Sequence, residues 1–305
     1  TGSAEWVAED DQEAILMARR WLRTIYSSLS PRQVECLTHS LYLDSASSTL
    51  SSQEVLKRVP VDFRVPYDPR ALLEVIADHR EIDEFKPHFG QDMVVGLMKC
   101  YGQPVAFLCN HGPIFPQGAS KAAQWIALSC QRGWPLVFFQ NTTGFMVGSQ
   151  AERDGIVKRG SALIQAVTNA TVPKVTFLIG GSFGAGHYAM CGRPFDPRFI
   201  FAWPNQRLAV MGGAQAAGVF DQIASRAGMP QAKRDAQRIR IESQFDREST
   251  SLFATARLWD DGIIDPRDTR RVLGETLSIF EWERSWRASK KTRDLGEFPL
   301  GVARL

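Results

Sequence analysis

The chain has 305 residues, 44% of them hydrophobic and 23% charged, with 24 glycines and 16 prolines. That is the composition of folded protein, and it excludes a disordered, collagenous or low-complexity chain. Lys and Arg number 36 against 33 Asp and Glu, a net charge of +3 with no basic block, so nothing argues for a nucleic-acid partner. No apolar run reaches the ~18 residues of a membrane span, and the acidic stretch Thr1–Asp11 has no signal-peptide pattern. The five cysteines (Cys36, Cys100, Cys109, Cys130, Cys191) are odd in number and form no CxxC. Neither zinc nor a disulfide framework is expected, and no metal. The cysteines read as small buried hydrophobes of a protein in a reducing compartment, the cytoplasm or an organelle matrix.

In chain order, residues 5–27 are predicted helical, with Asp10 and Asp11 in or before the first turn. Residues 28–55 turn serine-rich and read as a linker with short helical pieces. The main boundary is placed there: 1–52 as a preceding tail plus linker, 53–305 as the main domain. A helix is expected over 69–79. Met93–Lys99 and Val105–Asn110 are apolar runs joined by Tyr101-Gly102-Gln103-Pro104, a hairpin signal. A helix at about 120–132, a buried strand at 135–140, a helix at 155–170 and a buried strand at 175–179 follow. Strands at 199–203 and 208–211 precede a helix-dominated remainder, with Arg- and Gln-rich helices around 231–246 and 266–288. Strands that alternate with helices and show little polar alternation imply a sheet buried on both faces, hence an α/β domain.

Three predicted strands each run into a glycine turn: Gly144–Gly148, Gly180–Gly186 and Gly212-Gly213. Ligands of α/β proteins sit at strand ends. Gly180-Gly181-Ser182-Phe183-Gly184 matches the GxSxG nucleophile elbow in letters. Only one histidine, His187, follows Ser182, and five residues on it is expected to be unable to fold back as a triad base. A phosphate loop needs Lys and Ser or Thr after its last glycine, and His187-Tyr188 stands there. What remains is a small-residue turn at a helix start, whose bare N–H groups can hold a developing oxyanion. On that reading a side chain at Gly186 is expected to crowd an incoming ligand while leaving the fold intact, and Ser182→Ala to do far less. Arg193, Arg198 and Arg207 lie close enough in sequence to meet a phosphate, against the plainer reading as surface ion-pair formers. Met98-Lys99 has one flank of a biotin-attachment site, but Cys100 follows, so Lys99 reads as an edge residue.

Taken together, the motifs resemble a known family. Pro66-Tyr67-Asp68-Pro69-Arg70, Gln140-Asn141-Thr142-Thr143-Gly144-Phe145-Met146-Val147-Gly148, the Gly180–Gly186 turn, Met190-Cys191-Gly192-Arg193, Ala202-Trp203-Pro204-Asn205, Val210-Met211-Gly212-Gly213-Ala214-Gln215 and Ala256–Pro266 occur in one order. They resemble the carboxyltransferase (β) subunit of biotin-dependent acyl-CoA carboxylases, in the methylcrotonyl-CoA and geranyl-CoA carboxylase branch, with a lean to the geranyl type. The resemblance is to the second of that family's two halves, and residues 1–27 look like the tail of the first.

The resemblance implies a crotonase-like (ClpP-like) β/α superhelix with a helical C-terminal segment. It implies transfer of CO2 from carboxybiotin, carried by a partner subunit, to a branched unsaturated acyl-CoA, by the ligase type of enzyme. Because biotin itself serves as the base once CO2 has left, no carboxylate or histidine pair is required. The amides of Ala185 and Gly186 are implied as the catalytic donors to the biotin ureido oxygen, with Gly144, Phe145 and Gly184 completing the biotin-binding set. Implied partners are a biotin carboxylase/biotin carrier (α) subunit, an N-terminal carboxyltransferase half, and further copies, as a hexamer of the full-length form. Two positions depart from the branch: His187 where it usually has Asn, and Ala162 where it usually has Lys. Two other classes stay open on the residues alone: another crotonase-type CoA-thioester enzyme, a hydratase or decarboxylase needing a placed acid or base, and a non-catalytic scaffold.

Overall fold

A computed structural model describes residues 2–27, 50–110 and 112–291. Most of the serine-rich stretch, Cys36, His39 and His111 lie outside the described residues.

Helix α1 spans Asp11–Ser27, not 5–27. Asp10 Oδ1 accepts from the Glu13 N–H at 2.8 Å and starts the helix there. The residues before it are tied to β1 and the turn that follows it: the Lys86 N–H donates to Glu5 O at 3.0 Å, and Trp6 Nε1–H donates to Glu84 O at 3.0 Å. Trp6, Trp21, Trp134, Trp125 and Phe85 form a continuous aromatic contact, with centroid separations of 4.7 to 6.1 Å. After α2 (Glu54–Arg58), helix α3 runs Pro69–Ile76, capped by Asp68 with Pro69 at its first position.

Strands β1 (Ile82–Glu84), β2 (Met93–Cys100) and β3 (Gln103–Asn110) are antiparallel. The expected hairpin is present, and its loop is only Tyr101-Gly102, since Cys100 pairs with Gln103. Both loop residues have positive φ, 52° and 78°, the two-residue turn that suits strand twist. Asp78 accepts both of their N–H groups, at 3.0 and 2.7 Å.

From there the chain is βα. It runs β4 (Gly112–Ile114), α4 (Pro116–Arg132), β5 (Leu136–Phe145), α5 (Ser149–Arg153), α6 (Ile156–Thr168), β6 (Lys174–Phe183) and α7 (Gly184–Ala189). It continues with β7 (Phe199–Ala202), β8 (Arg207–Ala209), α8 (Gly213–Arg226), α9 (Gln231–Glu248), α10 (Ser251–Thr255), β9 (Gly262–Ile263) and α11 (Thr269–Lys291). The sheet order is β1-β2-β3-β5-β6-β7-β9, parallel from β3 onward, with β4 added to β5 and β8 added to β6.

Alternation along each strand divides the core. Val137, Phe139, Val175 and Phe177 face Leu72, Leu73, Leu273 and Leu277 of α3 and α11. Leu136, Phe138, Ala106 and Leu108 face Trp125 and Ile126 of α4 and Leu163 of α6. Both faces are covered, so strands such as β6 are buried along their whole length.

Candidate active site

Strands β5 and β6 pair in parallel from Leu136↔Lys174 to Gln140↔Leu178, then again at Thr142↔Ser182. Two steps along β5 thus match four along β6, and the ladder bends. Asn141 fills the bend: its Oδ1 accepts from the Gly181 N–H at 2.8 Å, and its own N–H donates to Asn110 Oδ1 at 3.3 Å. Beyond the bend each strand gains a new neighbour, Gly112 opposite Thr142 and Leu208 opposite Ser182. The bend carries the ends of β5, β6 and β8 to one place.

The predicted glycines meet there, for different physical reasons. Gly144 has φ +115°, and a Cβ on it would touch nothing nearer than Phe183 O at 3.8 Å; conformation demands glycine. Gly186 is the reverse. A Cβ on it would lie 2.8 Å from Gly144 Cα and 2.8 Å from Thr142 Oγ1. Its missing side chain makes room for β5, so the expectation that a larger residue there would spare the fold is corrected. Gly184 meets both demands, with φ +54° and a would-be Cβ 2.9 Å from Val210 O. That contact brings the third glycine turn, which follows Val210, against the second.

Helix α7 starts at Gly184 with no side-chain cap. An α-helix offers no internal acceptor to its first N–H groups, here those of Gly184, Ala185 and Gly186. Ala185 is exposed, Gly184 half-buried and Gly186 buried. Phe145 ends β5 half-buried, its ring turned onto Gly160 of α6, where a Cβ would come within 3.0 Å of the ring. Ala162 is exposed on the same helix. The three arginines do not converge: Arg193 pairs with Asp261 at 2.8 Å, Arg198 pairs with Glu283, and Arg207 donates to Asp246 O at 2.7 Å. Lys99 is the exposed position of β2.

One feature of the turn departs from expectation. The His187 ring does fold back, and Nδ1 lies 2.7 Å from Ser182 Oγ. Ser182 Oγ is also 2.5 Å from Gln140 Oε1, and His187 Nδ1 is 3.2 Å from the same oxygen. The Gln140 amide is oriented without ambiguity, because its Nε2 donates to two carbonyls, His187 O at 2.9 Å and Met190 O at 3.1 Å. Its Oε1 must therefore accept. The Ser182 hydroxyl donates to Gln140, which leaves His187 Nδ1 to donate to Ser182 Oγ. The imidazole is then the neutral Nδ1–H tautomer. Desolvation, which pushes its pKa down to about 4, agrees, although the residue as a whole is only half-buried. The proton order is the opposite of a nucleophile elbow, where serine donates to histidine. The Cys191 thiol nearby is buried and raised to about 12, which keeps it from acting as a thiolate. Among the described residues no three His, Cys, Asp or Glu side chains cluster as a metal site.

Sequence reasoning passed over Gln140 and took Ser182 for a bystander. The available signal was a polar Gln140-Asn141-Thr142 directly after the apolar run Leu136–Phe139.

The chain matches the family model of the carboxyl transferase domain over residues 1–295. A probable biotin-dependent acyl-coenzyme A carboxylase beta2 subunit of Mycobacterium tuberculosis is 43% identical over 91% of this chain and 52% of that protein. The mitochondrial methylcrotonoyl-CoA carboxylase beta chain of Arabidopsis thaliana is 41% identical over 91% of this chain and 48% of its own length. The crystal structure of the P. aeruginosa geranyl-CoA carboxylase beta subunit superposes with a TM-score of 0.75 at 44% identity, covering 92% of this chain and 52% of that one. The chain thus spans about half the length of the relatives it matches.

Proposed function

The chain belongs to the carboxyl transferase domain family, and we propose that residues 53–305 are the biotin-side half of a carboxyltransferase site. On this reading CO2 moves from carboxybiotin to a branched unsaturated acyl-CoA of the 3-methylcrotonyl or geranyl type. Residues 1–52 are read as the tail of a preceding half plus a linker. A partner subunit carries the biotin, the preceding half holds the acyl-CoA, and full-length copies assemble as a hexamer. The compartment is the cytoplasm, or the mitochondrial matrix in a eukaryote.

The observation that carries the reading is the junction of three strand ends around the uncapped first turn of α7. The exposed Ala185 and the opened space beside Gly144 fit a planar ureido ring brought edge-on to backbone N–H groups. Carboxybiotin, when bound, supplies the carboxyl group and the base. The chain's own residues then have two tasks. The amides of Ala185 and Gly186 stabilise negative charge that develops on the ureido oxygen; such donors work without reorganisation when the fold holds them in place. Gly144 and Phe145 bound the opposite side through backbone, with Gly184 completing the set beside the donors, so that the ring is held at the distance transfer needs. A hydratase or decarboxylase reading finds no acid or base placed for it among the described residues, since the imidazole at the turn points its Nδ1 at Ser182 and packs its Nε2 against Gly192, away from the Ala185 and Gly186 amides.

The test is an assay of the 305-residue chain with carboxybiotin and either 3-methylcrotonyl-CoA or geranyl-CoA, with and without the acyl-CoA half. Turnover is expected only with both halves. Full turnover by the chain alone would refute the split site.

A further inference from the structure

The segment from Ser182 to Met190 is held to one side chain at both ends. Gln140, fully buried on β5, accepts from the Ser182 hydroxyl just before the turn and donates to His187 O and Met190 O just after it. The His187 ring closes the loop by reaching back to Ser182. A second observation fits the ring to its place. Gly192 has φ −68° and ψ 175°, which any residue adopts, yet a Cβ on it would lie 2.2 Å from His187 Nε2. A side chain at 192 would therefore compete with the imidazole for that space.

We propose that Gln140, Ser182 and His187 are positioning residues for the carboxyl transfer, a clamp that sets the direction of the Ala185 and Gly186 amides, with Gly192 giving the ring its seat. The inference rests on the reading of the turn as the biotin-side donor. His187 acts through Ser182 and Gln140 and touches no substrate. What the clamp requires at position 187 is a donor at the Nδ1 position, and an Asn amide nitrogen supplies one from a shorter side chain.

The assembled carboxylase containing this chain is compared in four forms: His187→Phe, His187→Asn, Gly192→Ala, and the pair His187→Asn with Gly192→Ala. Two quantities are read: turnover with KM for each substrate, and hydrogen exchange of the peptide covering 180–192. His187→Phe keeps a ring but loses the donor, and Gly192→Ala forces the ring off Ser182. Each is expected to lower kcat by ~10–100-fold, the scale on which a misplaced donor acts. KM for the acyl-CoA should stay within about twofold, and exchange in the peptide should rise. His187→Asn should remain within about threefold of wild type, a small fraction of a misplaced donor's effect. Because Asn leaves room for the new methyl, the pair should recover most of what Gly192→Ala alone loses. A pair no better than Gly192→Ala alone overturns the clamp. So does a fall in kcat for His187→Phe without any rise in exchange. Faster exchange with unchanged kcat overturns the oxyanion reading of the turn itself, and the positioning role with it.

Discussion

Substituting the glycines around the turn separates space from conformation. In Gly186→Ala the new methyl would stand 2.8 Å from Gly144 Cα and 2.9 Å from Thr142 Cγ2. Carbon atoms pack best at about 3.5–4.0 Å, so backbone must move by roughly 0.7 Å, and no flexible side chain can absorb it. Overpacking of this kind costs ~1–3 kcal/mol. The same movement parts the two walls of the site, and a displacement near 1 Å costs about 10²-fold in rate. Gly144→Ala meets no close atom but must hold φ +115°, a strained conformation worth ~1–3 kcal/mol. Gly212→Ala meets no atom within 4 Å and keeps φ −64°, so it should stay within about 0.5 kcal/mol of wild type. Urea denaturation and turnover of the assembled enzyme measure all three. Since Gly144 and Gly186 touch, the double variant should depart from additivity, whereas either combined with Gly212→Ala should not. If Gly186→Ala matches Gly212→Ala in both stability and rate, the close-packing argument is wrong.

The imidazole predicts a pH effect. His187 titrates near 4 in the folded chain against 6.5 for an ordinary histidine, so between those values the unfolded chain binds the extra proton. Stability from this group is fully present above pH 6.5 and is lost as pH falls toward 4, by about 3 kcal/mol. The stability difference between wild type and His187→Asn, followed by urea titration from pH 7 to 4, should change by that amount; a flat difference refutes the buried neutral ring. Glu84 takes a two-point contact from Arg70 at 2.8 and 2.9 Å and a single longer one from the fully buried Lys121 at 3.5 Å. Arg70→Met should therefore cost ~3 kcal/mol, because it leaves that carboxylate poorly paired. Lys121→Met should stay within about 1 kcal/mol, because burial already weakens its charged form. Arg270 pairs with the buried Asp78 at 2.7 Å and lies over the Tyr101 ring at 4.4 Å, so Arg270→Ala should lower stability by ~3 kcal/mol and loosen α11 from the hairpin, visible as faster exchange in residues 99–104.

The α/β architecture was legible because its signal is local: apolar runs bounded by glycine turns mark β2, β3, β5 and β6 within a few residues of their ends. Boundaries were less so, for reasons seen in particular contacts. β5 and β6 continue to Phe145 and Phe183, through glycines and polar residues that look like loop. They stay extended because β4 and β8 pair with them beyond the bend, a tertiary cause with no local trace. α1 begins six residues later than expected because Trp6 donates to Glu84 O, 78 residues away. At the site, the glycines stood out but their reasons did not. Nothing in the letters tells that Gly144 lacks a Cβ for φ and Gly186 for room. The ground given for excluding a serine nucleophile, that His187 cannot reach Ser182, is corrected by the 2.7 Å contact.

A site of main-chain donors, as proposed for the start of α7, has a particular requirement. A side-chain donor can be aimed by its own rotamer, but an amide points where its peptide plane points, so precision must come from whatever holds the neighbouring residues. Here that is a buried amide with all its capacity spoken for. Gln140 Oε1 faces Ser182 and His187, and its Nε2 meets two carbonyls. A satisfied buried network stabilises one arrangement against its alternatives, since any shift leaves a polar group unpaired in a dry place. The Ser182 hydroxyl hydrogen and the His187 Nδ1 hydrogen are both committed to this network. A chain could not use this pair as nucleophile and base without releasing the turn that the pair secures.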